Sequence, residues 1–470
     1  MILDKYNNII FISFFLIIFF LIVYLFSIGK TLIPIVLLTV PLIFILIENA
    51  AKYYLFYLTS ALFIEQYFYV PLKIQVVNVV AFGVFILFLT NKNTQIFNSF
   101  RLPNVVKYTA VFFVLSIFLS AVNTVHISFA SLYFFFLFFT YITTGYLVFR
   151  SVKNEFTIEK FFTFYFYGMA VACFVIIIQT IITSRLRSKG FIGFPVMDFS
   201  AITFSFLILK YFIKGKLNLK ILIISSFIFT VLIISLSRFA WIGFIFSLTY
   251  GLIISYKYDP KWRNYFKEKF KLIMVTAFIL IGVLIGLGVK NVIATRFSDL
   301  TFEFFEQKDD GEYIQNSLET RALIWFTAYN AFETSPYTGI GHQMFNFVSE
   351  EYNVLPDYFY ELYVEGLDPH NTMLAFLSET GLIGLSSYLI FIFTMYFLSL
   401  KAIRMSENEN EKTNSILLNV AVFFIIINSI YSGQYTMTQQ AFFMYIFLGL
   451  NTGNYIYLKN KLADKGLSAK

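Results

Sequence analysis

The sequence predicts an all-α polytopic membrane protein with about 12–14 transmembrane helices and one long, partly helical extracytoplasmic loop. Three observations carry this. Mean hydropathy is +0.75, and only 13% of residues are charged, where soluble chains hold about 25%. Apolar runs near the length that crosses a hydrocarbon layer of about 30 Å recur along all 470 residues. A single long stretch, residues 290–370, interrupts them with polar and acidic text.

In chain order, the apolar runs fall at 9–29, 31–47, 53–70, 74–90, 105–122, 127–149, 161–183, 191–213, 219–236, 239–256, 270–289, 372–400, 416–431 and 441–458. The first follows an n-region whose basic residue is Lys5 and shows no clean small-residue cleavage site, so it reads as a span rather than a signal peptide. The second to fourth are short or interrupted by Pro34, Pro41, Glu65 and Lys73. One pair of them is a candidate re-entrant hairpin, which is why the expected number is a range. The chain then divides into a first part of the bundle (1–289), a lid loop (290–370) and a last part of the bundle (371–470), all within one membrane domain. The single cysteine, Cys173, excludes an intramolecular disulfide and a cysteine zinc site.

Charge sets the orientation. Cytoplasmic loops carry the excess of Lys and Arg, and an inside N-terminus puts "RSVKNEFTIEK", "YKYDPKWRNYFKEK", "KAIRMSENENEKTN" and the tail "KNKLADKGLSAK" on that face. Ten of the 35 Lys and Arg then lie outside: Lys30, Lys73, Arg185, Arg187, Lys189, Arg238, Lys290, Arg296, Lys308 and Arg321. The net charge of +8 is mostly this rule at work. Because the basic residues are scattered over separate loops, it argues against a nucleic-acid partner. The loop at 290–370 holds about half of the 27 acidic residues and is too long for a plain connector. Within it, "SLETRALIWFTAYNAFET" reads as a helix starting near Ser317.

The cations and histidines left outside are the candidate functional groups. Arg238, in "ISLSRFAWIGF", stands between two apolar runs at the outer boundary, where a lone Arg is costly unless it is paired or lines a watery cavity. Arg185 and Arg187 sit in "TSRLRSKG", whose alternative reading is a snorkelling interfacial loop. Arg321 lies on the loop helix and, taken alone, reads better as the partner of Glu319 or another lid acid. Guanidinium groups facing outward suit a lipid-linked phosphate or pyrophosphate, because Arg presents a rigid fork of donors. All three histidines, His126, His342 and His370, fall on the outer side, and His370 precedes Asn371 directly ahead of a span.

Three strings extend this. "SLSRFAWIGF", "RALIWFTAYNAFETSPYTGIGHQMF" and "HNTMLAFLSETGLIG" resemble, in order and spacing, the signatures of the O-antigen ligase and polymerase family. Arg321, Trp325, Pro336, Gly339 and Gly341 match R-x3-W followed by P-x2-G-x-G, and His370, Asn371, Gly381 and Gly384 match H-N-x9-G-x-x-G. The resemblance covers about residues 230–390, and the first 220 match only in hydropathy. It implies a GT-C-like transmembrane glycosyltransferase that moves an undecaprenyl-pyrophosphate-linked glycan to an acceptor without a metal or other cofactor. By that resemblance Arg238 and Arg321 hold the pyrophosphate, Arg296 is a looser match beside them, and His370 acts at the acceptor. Implied partners are the lipid-linked donor, a lipid-linked glycan or lipid A core acceptor, membrane lipid and a candidate chain-length regulator, in the bacterial inner membrane.

The residues support this independently. A leaving pyrophosphate gains negative charge as its bond to the sugar breaks, so fixed cations there stabilise the transition state most, and a neutral imidazole takes a hydroxyl proton near neutral pH. The start of the helix after His370 is expected to add exposed N–H donors. Asn371 is expected to bind substrate, cap the helix or orient the imidazole, and His342 is a further binding candidate. Gly381 and Gly384 are expected to let a neighbouring helix pack closely. Glu379, nine residues past His370, should point away from it. The competing class is a transporter or flippase for polysaccharide or lipid-linked glycan. The absence of a repeated half and the outer placement of Arg and His weigh against it, and a scaffold role leaves those groups without a purpose. Polymerase and ligase are not separable by sequence, and the diversity of surface-glycan polymerases tips the reading toward the former.

Overall fold

A computed structural model describes residues 67–69, 73–75, 100–122, 129–183, 195–212, 218–235, 237–259, 261, 263–264, 317–433 and 438–466. Its elements in chain order are a short antiparallel ribbon of β1 (Tyr67–Tyr69) and β2 (Lys73–Gln75), then α1 (Asn104–Val122), α2 (Phe129–Ser151) and α3 (Glu155–Thr183). α4 (Pro195–Leu207) runs into a π turn at Ile208–Phe212, and α5 (Leu219–Ile234) and α6 (Arg238–Tyr258) follow. After these come α7 (Ser317–Thr334), α8 (Phe345–Val348), a 3-10 turn at Ser349–Tyr352, α9 (Asp357–Tyr363), α10 (Thr372–Met405), α11 (Glu409–Tyr431) and α12 (Thr438–Asp464). The chain is an all-α polytopic membrane protein. Among the described residues, five helices are long and apolar enough to cross a membrane, those centred on α1, α3, α6, α10 and α11. The apolar runs at 9–29, 31–47 and 270–289 lie outside the described residues. Those at 53–70 and 74–90 do too, apart from the residues of the ribbon.

Helices overrun the apolar stretches because their polar ends are satisfied within the protein. α3 starts six residues before the apolar run at 161, and α11 seven before the run at 416. The start of α11 is a capping box: Asn408 accepts from the Glu411 amide, and the Glu411 carboxylate reaches back to the Asn408 amide. Lys461 on α12 meets that carboxylate at 2.5 Å, and Lys465 meets Glu407 at 2.5 Å. α10 packs on α1, α11 and α12, while α6 packs on α4 and α11. α2 and α12 approach closely through the Gly449-x3-Gly453 pair, since a Cβ on Gly449 would stand 2.3 Å from the Gly145 carbonyl oxygen.

Residues 317–370 carry a small core of their own, with Ile324, Ala328, Met344, Phe345, Tyr360 and Val364 buried together. This segment is joined to the bundle through α10. The helix is broken at Gly381, whose φ of 63° and ψ of −167° are not helical. The backbone of Pro336–Gly341 lies against the break. Ile340 N–H donates to Ser378 O (3.1 Å), Gly341 N–H to Glu379 O (2.9 Å), Leu382 N–H to Pro336 O (2.9 Å) and Ile383 N–H to Tyr337 O (3.2 Å). The expectation that Gly381 and Gly384 serve close packing of a neighbouring helix is therefore corrected. Gly381 opens the helix for a loop, and a Cβ on Gly384 would collide with the Thr380 side chain of its own helix. Glu379 is fully buried and turns to that loop, accepting from the Gln343 amide (2.8 Å) and the Phe345 amide (3.4 Å).

Candidate functional site

The three sequence strings converge at one end of the bundle. The first ends α5 and opens α6, where Ser237 caps the helix by accepting from Ala240 N–H (3.3 Å). Arg238 occupies the first helical position, and its side chain lies outside the described residues. Phe239 follows and stacks on Tyr431 of α11, ring centroids 5.1 Å apart. The second string brings Arg321 over the other partner of this stack. Its guanidinium carbon is 4.2 Å from the Phe239 ring centroid, and Nη1 donates to Tyr431 O at 2.9 Å. A face on an aromatic ring and an edge on a carbonyl fix the plane of the fork. Both of these groups belong to bundle helices, and the side chain of Glu319 lies outside the described residues.

Trp325 stands one turn after Arg321, so both share a face of α7. Its Nε1–H donates to Pro369 O at 2.8 Å, which pins the residue before His370. His370 itself takes a φ of +48°, a left-handed conformation that costs an L-residue about 1–2 kcal/mol and is tolerated where surroundings dictate it. Here Asp368 dictates it. The His370 amide donates to Asp368 Oδ1 (2.9 Å), and Nδ1 lies 2.5 Å from the same oxygen. A proton held on Nδ1 by a carboxylate leaves Nε2 as the ring's acceptor. The His370 side chain is 32% exposed, so the imidazole is both oriented and reachable.

Asn371 is the N-cap of α10, its Oδ1 accepting from Leu374 N–H at 3.1 Å. The structure gives it the capping job. The expected row of exposed N–H donors at this helix start is largely closed, because Thr372 N–H and Oγ1 both donate to Ser432 O, at 3.0 and 2.6 Å. His342 is 1% exposed with its ring edge-on to Phe138. Burial pushes it down to about 3, so it is a neutral packing imidazole near neutral pH. Arg185, Arg187, Arg296 and His126 lie outside the described residues.

Sequence reasoning missed the acid Asp198, in the first turn of α4, and its amide partner Gln440 on α12, joined at 2.8 Å. It also missed Asp368, two residues before His370. An aspartate inside the apolar run at 191–213 was the available signal for Asp198, by the same logic that singled out Arg238. The signal for Asp368 was the Asp-Pro-His spacing, which favours an Asx turn.

A comparison with curated proteins finds no match. Residues 221–389 match the O-antigen ligase family, a span that begins in α5, includes all three strings and ends within α10. Over that span the chain is similar to the O-antigen ligase family.

Proposed function

We propose that the protein transfers an undecaprenyl-pyrophosphate-linked glycan to an acceptor hydroxyl at the extracytoplasmic face of the bacterial inner membrane. The observation that carries this is the convergence of Arg321, the Arg238 helix start and the oriented His370 at one end of the bundle. The acceptor oxygen attacks the anomeric carbon, and the bond from that carbon to the pyrophosphate oxygen breaks. The electron pair leaves with the polyprenyl pyrophosphate, while the hydroxyl proton passes to His370 Nε2. Arg321 and Arg238 meet the growing charge on the leaving group. Charge placed where it develops is worth more than charge that only binds the ground state. On this reading Arg185, Arg187 and Arg296 extend the cationic surface toward the donor, and fixed guanidinium groups take the part that a divalent ion plays in other transferases.

The orientation rests on the Lys and Arg asymmetry of the loops. Of the two outcomes within the family, joining two lipid-linked repeats is preferred over transfer to a lipid A core, for the reason of sequence diversity given above. A chain-length regulator is then a natural partner. The test is transfer by purified protein from a lipid-linked oligosaccharide, with a second lipid-linked repeat and a lipid A core offered separately, each in the presence and absence of chelator. Elongated lipid-linked product, unaffected by chelator, is expected. Product on the lipid A core alone would make it a ligase. Activity restored only by magnesium or manganese would overturn the metal-free mechanism, and no transfer with either acceptor would overturn the function.

A further inference from the structure

Arg321 and His370 are tied into one closed ring of contacts. Tyr431 and Ser432 are consecutive residues at the end of α11, and their carbonyls hold opposite halves of the site. Tyr431 O accepts from Arg321 Nη1 at 2.9 Å. Ser432 O accepts from Thr372 N–H at 3.0 Å and from Thr372 Oγ1 at 2.6 Å. On the other side, Trp325 stands one turn after Arg321 on α7 and donates to Pro369 O at 2.8 Å. The ring runs from Arg321 along α7 to Trp325, through Pro369 and His370 to Thr372, and back over Ser432 and Tyr431. Thr372 is 1% exposed and Pro369 is buried, whereas residues 365–367 just ahead are exposed.

This ring fixes the backbone on both sides of His370. The peptide joining Pro369 to His370 is a rigid plane. Trp325 holds its carbonyl oxygen and Asp368 holds its N–H. Pro369 has no N–H of its own, so that carbonyl is the place where another element can grip its backbone. Two residues on, the peptide joining Asn371 to Thr372 is held through the Thr372 N–H. The positive φ of His370 lies between these two held planes. With either plane released, the residue relaxes toward an ordinary negative φ and the imidazole swings with it. Asp368 belongs to the same turn and moves with His370, so the external anchors are Trp325 and Thr372. We propose that Trp325 and Thr372 are positioning residues, which set where His370 Nε2 stands relative to the Arg321 guanidinium. The proposal rests on the reading of Arg321 as the pyrophosphate site and His370 as the base. Arg321 keeps its own clamp on Phe239 and Tyr431, so donor capture does not depend on either anchor. The chemical step does, because a base misplaced by about 1 Å loses about 100-fold in rate.

The experiment measures kcat, KM for the lipid-linked donor and thermal melting in the full-length protein, with each substitution made in the wild type and in a His370→Ala background. Trp325→Phe removes the indole N–H and keeps an aromatic ring. Thr372→Val removes the hydroxyl and keeps the shape, and it carries the test should the Trp325 variant not fold. Each is expected to lower kcat by about 10–100-fold, with KM near wild type, and Thr372→Ser should restore kcat because it keeps the hydroxyl. In the His370→Ala background the same substitutions should lower kcat no further, since the side chain they position is gone. A residue that only supported the fold would cost the same factor in both backgrounds. Full kcat in folded Trp325→Phe and Thr372→Val, a change confined to KM, or an equal loss in both backgrounds overturns the positioning role while His370→Ala remains impaired. A His370→Ala protein that transfers like wild type overturns the base, and the positioning role with it.

Discussion

Replacing Gly381 or Gly339 by Ala tests the joint between residues 317–370 and the bundle. At Gly381 the φ of 63° with ψ of −167° is a conformation reserved almost wholly for glycine, and holding Ala in it costs about 1–3 kcal/mol. A Cβ there would also stand 2.3 Å from the Tyr337 carbonyl carbon, and one on Gly339 would stand 2.2 Å from the Glu379 carbonyl carbon. Both obstacles are backbone, which no rotamer change relieves. Restoring ordinary contact near 3.4 Å requires the loop to withdraw by about 1 Å. That would break the four backbone hydrogen bonds across the joint, at 2.9–3.2 Å, each worth about 0.5–1.5 kcal/mol net. With the strain, the loss is about 3–9 kcal/mol, large for a single substitution. Gly366 is the control: its φ is also positive, at 69°, but a Cβ would meet nothing within 4 Å, so Gly366→Ala should lose only about 1 kcal/mol. The assay is thermal melting in detergent combined with limited proteolysis of residues 317–370. Gly339→Ala and Gly381→Ala should melt far below Gly366→Ala and be cleaved faster. Indistinguishable melting and cleavage among the three would refute the joint.

His370→Ala should lower kcat by about 10²–10⁴ with melting near wild type, and Asp368→Asn should lose about tenfold or more by freeing the ring's orientation. A His370→Ala protein that transfers normally ends the catalytic reading. Arg321→Lys should be nearly as inactive as Arg321→Ala, since a point charge replaces neither the fork nor its flat contact with Phe239; full activity in Arg321→Lys would contradict this. His342 is held neutral by burial, with its folded value near 3 below an ordinary 6.5. Its contribution to stability should be fully present above about pH 6.5 and fall as pH drops toward 3, because the unfolded state then binds the extra proton. His342→Leu should flatten that part of a melting-versus-pH curve, and an unchanged slope would disprove it. For topology, single cysteines at Glu361 and Lys261 in a Cys173→Ser background should label from outside and inside respectively, and labelling of 261 but not 361 by an impermeant reagent in intact cells would reverse the orientation.

Hydropathy and charge were sufficient for the fold class, because a bilayer imposes a length and composition on every span regardless of its neighbours. They also made α7 legible over 317–334, and the ordered strings around Arg238, Arg321 and His370 were readable as one family's text. Packing decided the rest. Whether Gly381 met a helix or a loop depended on Pro336–Gly341 arriving from more than 40 residues earlier, and no local pattern records that. The roles of Asn371 and His342 also turned on packing, since capping and burial are properties of the folded neighbourhood. Phe239 and Tyr431 come from two different helices and meet Arg321 only when the bundle closes. A sequence displays residue types along one dimension, so it revealed the isolated charges that a membrane makes conspicuous. The partners that orient the Arg321 guanidinium are an ordinary Phe and Tyr, which only their place in the tertiary structure singles out.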